Sequence, residues 1–187
     1  MTQPFPDKKY QVIYADPPWT YRDKALAGQR GAGCKYSLLT QDEIADLPIP
    51  EIAATDCALF LWITMPKLDE VFPIIAKWGF SYKTVAFTWV KQNKSGVGFF
   101  WGMGRWTRAN AELCLLATRG SPKRLSSAVH SVISTPIEGH SKKPDCTRER
   151  IVTLCGDVPR IELFARQQTD GWDVWGNQVN GDGNEHK

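Results

Sequence analysis

The acidic residue Asp16 stands at a position in the sequence where its carboxylate could hold a ligand. Asp16 follows the apolar run Val12–Ala15 and precedes Pro17, Pro18 and Trp19. The two prolines fix φ and carry no N–H, so the turn is stiff and offers acceptors without donors. An exocyclic amino group on a nucleobase has two N–H donors beside a flat ring. Asp16 and the Pro17 carbonyl can accept those hydrogens while the Trp19 ring covers the face, which predicts a site for an adenine amino group.

A plainer interpretation of the same residues is an ordinary turn followed by a core aromatic side chain. The predicted strand Gln11–Ala15 places the motif where a buried strand ends. Open α/β sheets bind their ligands at the carboxyl ends of their strands. We therefore favour the binding interpretation, with Asp16, Pro17, Pro18 and Trp19 as catalytic candidates.

The composition is typical of a globular chain with one core. The chain has 187 residues, of which 42% are hydrophobic and 23% charged. We expect one domain over residues 1–179 and a mobile polar tail over residues 180–187. There is no apolar stretch of bilayer length, and Met1–Lys9 lacks the apolar core of a secretory signal, so we expect a cytoplasmic protein without membrane function.

The cysteines and histidines give no support for a metal site. The five cysteines are scattered and never spaced as C-x-x-C, and the three histidines form no i, i+4 pair. We therefore expect reduced thiols and no bound metal. The formal net charge of +3 is too small to indicate a partner.

Apolar runs alternate with helical patterns along the chain, which predicts an α/β fold with a mostly parallel sheet and helices on both faces. The predicted strands are Gln11–Ala15, Ala58–Ile63, Tyr82–Val90, Glu112–Thr118, Val129–Ser134 and Arg160–Phe164. The predicted helices are Gln41–Asp46, Lys67–Trp78 with Pro73 as a kink, and Thr147–Leu154 ending at Gly156.

Basic and aromatic residues alternate in the long connection Lys91–Asn110. Cations neutralise phosphates and flat rings stack on bases, so this mixture suits a nucleic acid. Aromatic residues that cap the core, beside charges that merely face solvent, are an equally good interpretation. The nucleic-acid-binding candidates are Lys91, Lys94, Arg105, Trp106 and Arg108, with His140 and Lys142 from the connection Ser134–Cys146.

Five segments together resemble the MT-A70 family of S-adenosylmethionine-dependent adenine-N6 methyltransferases. They are residues 16–19, 59–64, 140–145, 162–166 and 176–178, and the resemblance covers nearly the whole chain. It implies a Rossmann-like class I methyltransferase fold with a permuted motif order. The stretch from Gly104 to Gly120 resembles the compact bacterial and phage members, which are thought to act on DNA. This resemblance implies a nucleoid-associated enzyme in a bacterial or phage-infected cell.

The resemblance also implies a set of cofactor contacts. Asp16 would lie between S-adenosylmethionine and adenine, and the further contacts would be Lys143, Glu162, Arg166, Asn177 and Gln178. A carboxylate can engage ribose hydroxyls and an ammonium can meet the methionine carboxylate, so the chemistry agrees. The segment Gln167–Asp170 stands where eukaryotic members carry a His-Asn pair, and those contacts are not transferred.

The leading hypothesis is methyl transfer to the N6 amino group of adenine in DNA. Hydrogen bonds from that amino group to Asp16 and the Pro17 carbonyl would favour the pyramidal, electron-rich nitrogen of the transition state. Two alternatives stay open: an adenine or cytosine amino group in RNA as the substrate, or a catalytically silent nucleic-acid-binding subunit. Because the sequence shows no recognition module, we expect loose sequence specificity or a second subunit that supplies it, and a homodimer is a further option.

Overall fold

The computed structural model describes residues 4–20, 39–104, 106–139 and 142–176. Its strands are β1 (Tyr10–Ala15), β2 (Ala53–Ile63), β3 (Ser81–Gln92), β4 (Glu112–Arg119), β5 (Val132–Pro136), β6 (Arg160–Leu163) and β7 (Asp173–Trp175). Its helices are α1 (Gln41–Ala45), α2 (Ile49–Ile52), α3 (Val71–Lys77) and α4 (Cys146–Cys155), with a 3₁₀ turn at Met65–Lys67. Within these described ranges, no helix has the length and apolar character needed to cross a membrane.

The seven strands form one sheet in the order β5-β3-β4-β2-β1-β6-β7. Four neighbouring pairs are parallel, and β4 is antiparallel to both of its neighbours, β2 and β3. The expected mostly parallel, Rossmann-like sheet is confirmed. The reversal of β4 has a consequence for the site, because it brings the start of β4 to the edge where the parallel strands end.

Alternating residues of β1 face two separate cores. Ile13 and Ala15 pack on the side covered by α1, α2 and α3, whereas Val12 and Tyr14 pack on the side covered by α4. This alternation follows from the two-residue period of a strand. Helices therefore cover both faces of the sheet, as the sequence predicts.

The largest difference from the predicted elements concerns α3. One kinked helix over Lys67–Trp78 is wrong, because the segment divides into a 3₁₀ turn at Met65–Lys67 and a helix that begins at Val71. Pro73 then lies in the first turn of α3, where a missing N–H leaves no helical hydrogen bond unmade. The short elements α2 and β7 have no counterpart among the predicted elements. Gly156 ends α4 with φ of 89°, as the sequence predicts.

Candidate active site

One edge of the sheet collects charged side chains from distant parts of the chain. Asp16 directly follows β1, and Lys91 is the penultimate residue of β3. Glu112 begins β4, and since β4 is reversed its first residue lies at the same edge. Lys143 comes from the segment that leads into α4 and reaches both carboxylates.

These four residues form a charge cluster, which we call the Asp16 cluster. Lys143 Nζ lies 2.8 Å from Asp16 Oδ2 and 3.3 Å from Glu112 Oε2. Lys91 Nζ lies 2.5 Å from the other Glu112 oxygen, Oε1. The four side chains are 10–23% exposed, so water screens these interactions only partly. Two cations alternate with two anions, and the formal charges cancel.

Burial and neighbouring charges shift the pKa values within the Asp16 cluster in different directions. Burial raises the pKa of Asp16, although Lys143 opposes the shift. Burial would also raise the pKa of Glu112, but Lys143 and Lys91 together outweigh it and the net shift is downward. The pKa of Lys143 is raised, because Asp16 and Glu112 outweigh the effect of its burial. Glu112 is therefore held as the anion and Lys143 as the cation.

The proline turn after Asp16 is less open than the sequence predicts. The Pro17 carbonyl accepts a hydrogen bond from the backbone N–H of Trp19 at 2.9 Å, and the Pro18 carbonyl accepts one from Leu39 at 3.0 Å. The expectation that no N–H competes for these carbonyls is therefore wrong. A carbonyl oxygen has two lone pairs, so the Pro17 oxygen keeps one for a ligand.

Trp19 lies in the core rather than over a ligand site. Trp19 is 6% exposed and belongs to the core on the face of the sheet that α1, α2 and α3 cover. Its Nε1 donates to the Trp62 carbonyl at 3.1 Å. This placement corrects the expectation that its ring covers the adenine, and it agrees with the alternative of a core aromatic. Trp19 thus anchors the turn that carries Asp16.

An aromatic layer supports the Asp16 cluster from the α4 side. The Lys143 ammonium lies over the Trp62 ring, 5.6 Å from its centroid. Trp62 Nε1 donates to the Tyr14 hydroxyl at 2.7 Å, and burial raises the pKa of Tyr14 well above its ordinary value. Tyr14 is therefore a neutral phenol that fixes the Trp62 ring beneath Lys143.

Glu162, predicted to bind the cofactor ribose, has a protein partner for each of its oxygens. Arg148 Nε lies 2.6 Å from Oε2, and Arg148 Nη2 lies 2.8 Å from Oε1. The guanidinium also donates to Asp145 through Nη1 at 2.7 Å. A ribose hydroxyl would have to use the remaining lone pairs of Glu162, so its role as a cofactor contact stays a prediction.

Arg166 lies on the surface of the same edge. It is exposed, and its charge acts on Asp16 in the direction that lowers the pKa. Lys143 and Arg166 together provide two cations beside Asp16, and this donor set fits the carboxylate of S-adenosylmethionine. The other two predicted cofactor contacts, Asn177 and Gln178, lie outside the described residues.

A cavity of about 600 Å³ lies between α4 and the segment over residues 167–172. Its lining includes Arg148, so it adjoins the Glu162 pair. Gln168 also lines it and donates through its side-chain amide to the Trp172 carbonyl at 2.9 Å. The residues that stand in place of the eukaryotic His-Asn pair thus border open space beside the predicted cofactor contacts.

The predicted nucleic-acid-binding residues fall into three groups. Lys94, Trp106 and Arg108 are exposed, with Trp106 at 97%. Lys91 and Lys142 were expected to meet phosphates, but Lys91 is paired with Glu112, and Lys142 is paired with Glu138 and Asp145. The surface pairs of Lys142 are weak and can exchange for a phosphate, whereas the pair of Lys91 is part-buried and belongs to the Asp16 cluster. Arg105 and His140 lie outside the described residues.

Two residues of this edge, Glu112 and Arg148, are missing from the predicted site. Glu112 stands in the segment Asn110–Leu113, which carries part of the family resemblance, but its role depends on the direction of β4. Arg148 lies in the first turn of α4, and its sequence context does not distinguish it from any basic residue on a helix surface. In the described ranges, no three His, Cys, Asp or Glu side chains group in a way that could hold a metal ion.

The fold, a mostly parallel sheet with one reversed strand and helices on both faces, is that of a Rossmann-like methyltransferase. The family model of MT-A70 matches residues 10–178, and the chain belongs to this family. The chain is 35% identical to the type II methyltransferase M.MunI from Mycoplasma sp., over 93% of this chain and 79% of that protein. It is 30% identical to the human N(6)-adenosine-methyltransferase catalytic subunit METTL3, over 92% of this chain and 29% of that protein.

The zebrafish METTL3 subunit gives the same 30% identity, over 92% of this chain and 28% of the relative. The chain therefore spans less than a third of the METTL3 proteins but most of the bacterial relative. MT-A70 methyltransferases depend on S-adenosylmethionine, and these relatives support methylation at N6 of adenine.

Proposed function

We propose that this protein transfers a methyl group from S-adenosylmethionine to the N6 amino group of adenine in DNA. One observation carries the proposal: Asp16 stands at the carboxyl end of β1 with one oxygen, Oδ2, engaged by Lys143. Among the described residues, its other oxygen has no hydrogen-bond partner and can accept from an amino group.

The residues of the site act by positioning and by electrostatics. The adenine amino lone pair is delocalised into the ring, which makes the nitrogen a poor nucleophile. Hydrogen bonds to Asp16 and to the remaining lone pair of the Pro17 carbonyl favour the pyramidal nitrogen that exists mainly in the transition state. S-adenosylmethionine supplies an electrophilic methyl group on a sulfonium centre. Lys143 and Arg166 would hold its carboxylate, so alignment of the two reactants contributes further to the rate.

The choice of DNA rests on the balance of the similarities. The match to the bacterial methyltransferase has the higher identity and covers 79% of that relative. The names of the METTL3 relatives specify adenosine, a ribonucleoside, and only 28–29% of their length is matched. We further propose that the enzyme is cytoplasmic, associates with the nucleoid and consists of one domain.

The test compares polymers under identical conditions. Purified protein and labelled S-adenosylmethionine are incubated with duplex DNA, single-stranded DNA and RNA of one sequence, and the nucleosides are identified by mass spectrometry. We expect N6-methyldeoxyadenosine, and a rate that falls at least about 100-fold in the near-isosteric Asp16→Asn variant. Product in RNA alone would replace DNA by RNA as the substrate. Binding without transfer to any polymer would favour the silent subunit, and full activity of Asp16→Asn would overturn the site.

A further inference from the structure

Lys143 is shared between two carboxylates, and only one of them belongs to the predicted site. Its ammonium lies 2.8 Å from Asp16 Oδ2 and 3.3 Å from Glu112 Oε2. The shorter contact is to Asp16, and Glu112 attracts the same ammonium at the longer distance. An ammonium facing a single buried carboxylate would form a closed ion pair, which weakens the carboxylate as an acceptor for any other donor.

Glu112 is fixed in this role by its surroundings. Glu112 of β4 pairs in register with Trp89 of β3, so Lys91 lies two residues further along β3. The Lys91 ammonium engages Glu112 Oε1, which leaves Oε2 to face Lys143. Asn110 holds the Lys91 backbone on both sides, accepting from its N–H at 3.0 Å and donating to its carbonyl at 2.9 Å. The Glu112 carboxylate therefore has little freedom to rotate away.

We propose that Glu112 is a positioning residue, which shares the Lys143 ammonium with Asp16 and thereby keeps Asp16 available to the adenine amino group. The inference rests on the proposed function, because it assigns Asp16 as the acceptor. Glu112 has a second effect: it partly neutralises Lys143, and so limits the attraction of Lys143 for the cofactor carboxylate. Removing the negative charge of Glu112 therefore changes cofactor binding and methyl transfer in opposite directions.

The experiment uses Glu112→Gln in the full chain, with two readouts. Binding of S-adenosylhomocysteine, which carries the same carboxylate, is measured by calorimetry without nucleic acid. Methyl transfer is measured at saturating cofactor. We expect Kd for S-adenosylhomocysteine to fall about tenfold, because an opposing charge near Lys143 is gone. We expect kcat to fall at least about tenfold, because Lys143 closes onto Asp16.

Glu112→Asp covers the case in which Glu112→Gln does not fold. It keeps the charge but withdraws it from Lys143 by one methylene, so we expect the same two opposite changes, each about threefold. The control is Asp46→Asn, which removes a carboxylate paired with Lys77 at an exposed site and should leave both readouts unchanged. Thermal unfolding of each variant verifies the fold.

A merely structural role for Glu112 would weaken binding and transfer together, and that result would overturn the inference. Parental kcat in Glu112→Gln, or parental values of both quantities in Glu112→Asp, would overturn it as well. If Asp16→Asn is inactive while Glu112→Gln behaves as the parent, the proposed function stands and only the role of Glu112 falls. If Asp16→Asn is fully active, the proposed function itself fails.

Discussion

The pair of Arg148 with Glu162 gives the most quantitative prediction about stability. Arg148 binds both carboxylate oxygens of Glu162, at 2.6 and 2.8 Å, and the two side chains are only 13% and 10% exposed. This burial sets the pair apart from a surface salt bridge, whose contribution is about 0–1 kcal/mol. Arg148→Met leaves a buried carboxylate without its partner. Loss of one partner of a buried pair costs about 3–5 kcal/mol in the free energy of unfolding, and we expect a value in that range.

The double variant Arg148→Met with Glu162→Gln separates the pair from the other contacts of Arg148. Arg148 also meets Asp145 and lies over the Tyr14 ring, and both contacts are lost in every variant that lacks it. In a double-mutant cycle those losses cancel. Since the double variant buries no unpaired charge, it should regain about 2–3 kcal/mol relative to Arg148→Met alone.

The cycle is measured by urea unfolding at neutral pH, followed by tryptophan fluorescence, with cofactor absent. A cost below about 1 kcal/mol for Arg148→Met would show that the pair behaves as a surface contact. A double variant no more stable than Arg148→Met would refute the claim that an unpaired carboxylate causes the loss.

Three further predictions concern single sites. Trp106→Ala removes a 97% exposed side chain, so the free energy of unfolding should change by less than about 0.5 kcal/mol. The binding free energy for nucleic acid, measured by fluorescence anisotropy, should weaken by about 1–3 kcal/mol. Unchanged affinity would contradict base stacking. Burial raises the pKa of Asp16 and the Lys143 charge opposes this shift, so Lys143→Met should raise the pKa further. The acidic limb of the kcat/KM profile should therefore move to higher pH. A move to lower pH would contradict this prediction. Gly120→Ala should lower the free energy of unfolding by more than about 2 kcal/mol, measured by thermal unfolding. The reason is that φ at Gly120 is +62° and an added Cβ would lie 2.4 Å from the Thr55 carbonyl oxygen. Parental stability would refute this clash.

Local sequence patterns were sufficient for much of the fold. The apolar run before Asp16 and the prolines after it place the end of β1, and the structure has that strand ending at Ala15. Thr40 and Glu43 form a capping box at the start of α1, which is why the predicted helix begins at Gln41 as observed. In each case the signal lies within a few residues of the element that it determines.

The features that sequence reasoning missed depend on contacts between distant segments. The direction of β4 follows from its pairing with β2 and β3, and alternation alone does not distinguish parallel from antiparallel strands. The position of Glu112 beside Lys143 depends on that direction. The hydrogen bond that occupies the Pro17 carbonyl follows from a turn that brings in the N–H of Trp19 two residues later. A pattern of residue types carries no information on which lone pair such a turn uses.

The reversal of β4 also explains why two lysines can be part-buried beside a predicted acceptor site. In an all-parallel sheet the residue that begins a strand lies at the opposite edge, and Lys143 would then face Asp16 alone. With Glu112 brought to the same edge, each part-buried cation has an anion and the formal charges cancel. Under the proposed function, positive charge develops on the adenine nitrogen as it takes the methyl group. The carboxylate that stabilises that charge is Asp16, so its acceptor strength depends on how Lys143 is divided between Asp16 and Glu112.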